Sequence, residues 1–190
     1  IGKDKIDRQE VKNFISDTLP KSFEIRDYQL DFIYKALEYK RGIIESCTGS
    51  GKSLMIYYTI REILKRIKGK ILIVVPNINL VIQMGGDFKK YGWDCDELTL
   101  LCAELKKDVD FSKRVLVSTY QSLLLKETDF FEEFEAVIID EVHLAKEEKK
   151  LTKILQTSIN AEYVLGYTGT LPDPILSRMN INAWIGDVLG

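Results

Sequence analysis

Residues Ser46 to Ser53 read SCTGSGKS, and far downstream Asp140 to His143 read DEVH; each stretch follows an apolar run with the character of a buried strand. The first supplies consecutive backbone N–H groups, a lysine and a hydroxyl, a set suited to phosphates and magnesium. The second supplies carboxylates for the metal and for an attacking water. Together they predict the two halves of one ATP site in a layered α/β domain.

The loop departs from the strict GxxxxGK[ST] pattern because Ser46 stands at the first glycine position. Thr48, Gly49, Ser50, Gly51, Lys52 and Ser53 keep the part whose chemistry is explicit. Gly49 and Gly51 let the backbone approach an anion closely, and a helix starting near Lys52 adds its positive end. Lys52 is expected on the β and γ phosphates and the Ser53 hydroxyl on Mg²⁺. At the other strand end, Asp140 is expected to coordinate magnesium and Glu141 to orient and activate the hydrolytic water, since adjacent carboxylates at a strand end occupy different surroundings. His143 is the chain's one histidine. It reads either as a transmitter of nucleotide state to Thr168, Gly169 and Thr170 or as an ordinary packed residue.

Working outward, the pattern alternates strand, loop and helix. A helix over Gln29 to Tyr39 precedes a turn at Gly42 and a first strand at Ile43 and Ile44. A helix over Ser53 to Ile67 leads to a strand over Lys70 to Val75, and Leu80 to Tyr91 forms the next helix. Further strands are expected within Asp96 to Leu101 and over Val115 to Thr119, Phe134 to Ile139 and Tyr163 to Tyr167. Helical starts lie at Gln121 to Leu125 and Leu151 to Ile159. Continuous apolar strands separated by helices signal a parallel sheet covered on both faces.

The 190 residues, 45% of them hydrophobic, fill one substantial core. Residues 1–20 read as an N-terminal attachment or the remnant of an accessory region, 21–172 as the ATP-binding lobe and 173–190 as a closing segment or the start of a connection. A formal charge of -2 gives the whole-molecule field no case for nucleic acid, although local patches escape such an average. Cys47, Cys95 and Cys102 lack zinc-cluster spacing, which points to a reducing, cytoplasmic setting. No run approaches the roughly 18 apolar residues of a membrane span.

Taken with Pro76 to Gln83, Val117 to Ser122 and Thr168 to Thr170, the two motifs resemble, in order and spacing, the first motor lobe of superfamily 2 DNA and RNA helicases and translocases. The likeness covers Phe23 to Leu171 and is strongest toward UvsW-type phage helicases and type III restriction or recombination-repair motors. It implies a RecA-like P-loop NTPase lobe, three layers α/β/α around a mostly parallel sheet, with ATP and Mg²⁺ as cofactors and DNA as partner. It also implies a second RecA-like lobe, whose arginines no segment after Thr170 supplies. Positioned transition-state charge is worth roughly 10³ to 10⁵ in phosphoryl transfer. The 190 residues alone are therefore expected to bind nucleotide, hydrolyse it poorly and not unwind DNA. By the same resemblance, Arg26 and Gln29 in FEIRDYQ recognise adenine, with Phe23 and Tyr28 serving either the ring or the core. Asn77, Gln83, Thr119, Tyr120 and Gln121 are the nucleic-acid contacts, against the alternative that they are loop and cap polarity. A P-loop nucleotide kinase and a nonenzymatic, nucleotide-controlled interaction module are the competing functions; the kinase leaves the Pro76, Val117 and Thr168 segments without a shared role.

Overall fold

The computed structural model of the chain describes residues 4–47, 49–93, 98–101, 110–142, 148–169, 183 and 185–189. Six strands form one parallel sheet: β1 (Arg41–Glu45), β2 (Lys70–Val75), β3 (Leu98–Leu101), β4 (Val115–Thr119), β5 (Phe134–Asp140) and β6 (Tyr163–Thr168), in the spatial order β1-β6-β5-β2-β4-β3. The helices are α1 (Arg8–Thr18), α2 (Asp27–Tyr39), α3 (Lys52–Leu64), α4 (Ile78–Lys90), α5 (Tyr120–Leu123), α6 (Thr128–Phe131) and α7 (Glu148–Thr157).

The chain moves across the sheet one way from β1 to β3 and back the other way from β3 to β6. Parallel crossovers are right-handed, so that reversal sends the two sets of helices to opposite faces. Two cores follow. Ile71, Ile73 and Val75 of β2 pack with residues of α1 to α4, whereas Leu72 and Val74 pack with residues of α5 to α7. Strands covered on both sides have no polar face, which is why their sequences read as unbroken apolar runs.

The N-terminal helix α1 packs into the core. Val11 and Ile15 are buried in the same cluster as α2 and α3, Phe14 meets Tyr58 edge-on at 6.2 Å, and Arg8 pairs with Glu38 at 2.7 Å. At the sheet edge, Gly42 lies within β1 instead of in a turn before it. The Ile43 N–H donates to the Asp187 carbonyl and the Leu189 N–H to the Ile43 carbonyl. A Cβ on Gly42 would stand 2.6 Å from Leu189 Cγ, so glycine is required there for close approach. Helix α3 ends at Leu64, earlier than the sequence pattern predicts, and α6 is an element that pattern did not disclose.

Candidate ATP site and nucleic-acid groove

The parallel register brings both motifs to one edge of the sheet. Strand β6 lies between β1 and β5, with Thr168 opposite Glu45 on one side and Tyr167 opposite Asp140 on the other. The Ser46 N–H donates to the Thr168 carbonyl at 2.8 Å, fixing the phosphate loop to the end of β6. Gly169 follows, while Thr48, His143 and Thr170 lie outside the described residues.

Lys52 and Glu141, 89 positions apart, form an ion pair, and both side chains are largely shielded from water. Asp140 is 7% exposed, and its Oδ1 accepts from the Glu141 N–H at 3.0 Å. Burial, followed by the neighbouring Glu141 charge, raises the Asp140 carboxyl to about 6, with Lys52 pulling the other way. Glu141 has φ 50°, left-handed backbone that is uncommon outside glycine. Its side chain thereby departs from the strand's alternation and turns toward Lys52.

The loop is braced from the FEIRDYQ side. Gln29, 4% exposed, donates from Nε2 to the Ser50 carbonyl at 2.7 Å and accepts at Oε1 from the Arg26 N–H at 2.9 Å. The Tyr28 hydroxyl donates to the same Ser50 carbonyl at 2.7 Å, and Arg26 Nη1 reaches that hydroxyl at 3.2 Å. Gln29 thus retains one amide N–H and one carbonyl lone pair for a ligand. Bracing the loop is a role of Tyr28 and Gln29 that sequence reasoning missed.

Gly51 and Gly49 have φ of 82° and 81°. A Cβ on Gly51 would lie 2.4 Å from Gln29 Nε2, whereas one on Gly49 meets no atom within 4 Å. Both alanine variants carry left-handed strain of about 1–2 kcal/mol, but Gly51→Ala also breaks the Gln29–Ser50 hydrogen bond. Thermal unfolding is expected to fall further for Gly51→Ala than for Gly49→Ala by about 1 kcal/mol, and equal losses would contradict the bracing role of Gln29.

Ser53 and Asp140 carry the hard oxygen donors that magnesium prefers, and a Cβ on Gly49 would meet no atom within 4 Å. Among the described residues no three His, Cys, Asp or Glu side chains gather into a metal cage.

A groove of about 400 Å³ opens between the N-terminal ends of α4 and α5, lined by residues including Pro76, Asn77, Asn79, Thr119, Gln121 and Ser122. Asn77 caps α4, accepting from the Leu80 N–H, and Thr119 caps α5, accepting from the Ser122 N–H. Cap polarity is therefore one function of both. Gln83 is exposed on α4 and is not part of the groove lining. Tyr120, expected as a contact, turns inward instead: it is 7% exposed, packs in the α5 to α7 core, and its buried hydroxyl has no hydrogen-bond partner among the described residues. Helix α5 begins at Tyr120 itself, so the ring faces the sheet.

The ResIII family, described as type III restriction enzyme, res subunit, matches residues 22–173, from just before FEIRDYQ through the Thr168 loop. The chain belongs to the ResIII family. This ResIII chain is 28% identical over 191 residues to the ATP-dependent DNA helicase uvsW of Enterobacteria phage T4, a match covering 97% of this chain and 37% of the relative. It is 32% identical over 166 residues to the DNA 3'-5' translocase XPB2 of Sulfurisphaera tokodaii, covering 85% of this chain and 35% of that one. The crystal structure of the UvsW helicase from bacteriophage T4 superposes with a TM-score of 0.91 at 27% identity, over 99% of this chain and 69% of that chain. The ResIII chain spans little more than a third of the length of these two curated relatives, 37% and 35%. It is a RecA-like motor lobe of the superfamily 2 helicase and translocase group, and that membership implies dependence on ATP and Mg²⁺. Among the described residues no helix is long and apolar enough to cross a membrane.

Proposed function

We propose that this lobe binds Mg-ATP between the Ser46 to Ser53 loop and the Asp140–Glu141 pair, and that in the longer protein ATP turnover drives movement along DNA during remodelling, recombination or repair. One observation supports the reading: Lys52 of the loop forms an ion pair with Glu141 of the acidic pair, which brings the two motifs together.

In this reading the N–H groups of Gly49 to Gly51 face the phosphate oxygens, and Lys52 leaves Glu141 for the β and γ phosphates. Ser53 and Asp140 hold the metal, which when bound neutralises phosphate charge. Freed from Lys52, Glu141 orients and accepts a proton from the attacking water. Arg26 and the unused capacity of Gln29 meet the adenine edge. Asn77, Gln83, Thr119 and Gln121 position sugar phosphates without choosing a base, with Tyr120 contributing only its place at the head of α5. His143, Thr168, Gly169 and Thr170 relay nucleotide state, and the arginines that complete the site come from a second lobe.

ATP hydrolysis by the full-length protein, with and without single-stranded, duplex and forked DNA, tests the proposal. DNA is expected to raise turnover severalfold or more. Turnover indifferent to every DNA form, or phosphate transfer to a small acceptor, would sink it.

A further inference from the structure

The Ser53 hydroxyl already has a partner: it lies 2.8 Å from the Tyr91 hydroxyl. Tyr91 stands at the C-terminal cap of α4 and is 8% exposed. Its ring meets Phe23 edge-on at 5.0 Å and Tyr57 at 5.4 Å. Tyr57 follows Ser53 by one turn on the same side of α3, and Phe88 and Trp93 pack around it. Phe23 and Tyr57, from two different segments, therefore pack the Tyr91 ring and place its hydroxyl beside Ser53. A phosphate loop alone requires no such neighbour.

We propose that Tyr91 is a positioning residue for magnesium ligation: its O–H donates to Ser53 Oγ and fixes the serine rotamer for the metal. The inference rests on the reading of Ser53 as a magnesium ligand. A hydroxyl carries one proton and two lone pairs. Tyr91 takes one lone pair, the other serves the metal, and the serine proton is left for a phosphate oxygen, so the three contacts are compatible. Phe23, which supports the Tyr91 ring, also opens the FEIRDYQ segment that braces Ser50. One aromatic cluster thus underlies both the nucleotide-base side and the metal side of the loop.

The test measures binding of a fluorescent ADP analogue to the full-length protein, in Mg²⁺ and in EDTA, for wild type, Tyr91→Phe, Ser53→Ala and the double variant. Phenylalanine keeps the ring packing and removes one oxygen, and circular dichroism melting verifies that each variant folds. Tyr91→Phe is expected to weaken binding in Mg²⁺ about fivefold, the change that one hydrogen bond of about 1 kcal/mol produces. Binding in EDTA stays unchanged, and the double variant binds no more weakly than Ser53→Ala. Unchanged or tighter binding of Tyr91→Phe in Mg²⁺, an equal loss in EDTA, or additive losses in the double variant overturns the role of Tyr91. If Ser53→Ala keeps full magnesium dependence, the metal-ligand reading itself fails, which is a separate result.

Discussion

Replacing Glu141 by glutamine is expected to cut ATP turnover roughly 10²- to 10⁴-fold, the usual contribution of a positioned general base, while tightening nucleotide binding. The opposite signs follow from the Lys52–Glu141 ion pair. In the nucleotide-free lobe Lys52 must abandon a carboxylate before it reaches a phosphate, and the glutamine amide carries no charge to hold it. The gain is about 1 kcal/mol, or about fivefold in affinity. Steady-state hydrolysis at saturating DNA and equilibrium binding of a nonhydrolysable ATP analogue, both on the full-length protein, measure the two effects. A variant that loses binding and turnover together would show that Glu141 supports the loop instead of the water.

Asp140→Asn is expected to make the nucleotide-free protein more stable at neutral pH and to abolish its magnesium-dependent nucleotide binding. Burial raises this carboxyl from 3.8 to about 6. A folded-state value above the unfolded one favours the protonated form, so the contribution of Asp140 to stability is fullest below about pH 4 and is lost as pH rises toward 6. At 1.36 kcal/mol per pH unit the loss at pH 7 is on the order of 3 kcal/mol. Asparagine removes it, so the stability difference between variant and wild type should grow between pH 4 and 6 and then level off. Magnesium requires the ionised carboxylate, so Mg-nucleotide affinity of the wild type should rise with pH across about 6, with release of one proton. Denaturant unfolding at several pH values reads the first effect and pH-dependent nucleotide binding the second. A stability gain independent of pH would remove the buried charge as its cause.

The strands were legible because burial on both faces leaves long apolar runs in their middles, Ile71 to Val75 in β2, Val115 to Val117 in β4 and Ala136 to Ile139 in β5, and the glycines of the Ser46 to Ser53 loop were legible because its positive-φ positions favour glycine. Contacts between distant segments were not. Gly42 reads as a turn because the side chain that occupies its missing Cβ position belongs to Leu189. Tyr91 reads as the last apolar residue of an amphipathic helix, and its hydroxyl gains meaning only when α4 lies beside α3. Tyr120 sits between polar neighbours that line the groove, so sequence places it with them; the start of α5 turns its ring into the opposite core. Four residues, the whole of α6, are too few to show a helical period.

The backbone hydrogen bonds of Ile43 with Asp187 and Leu189 have a structural corollary. They attach residues 185–189 by backbone, along the outer rim of the sheet, to the strand that leads within a few residues to Ser46. Residues 185–189 thus sit against the same edge strand that runs directly into the Ser46 to Ser53 loop, so a change in the backbone at Asp187 or Leu189 is only three residues of strand away from Ser46.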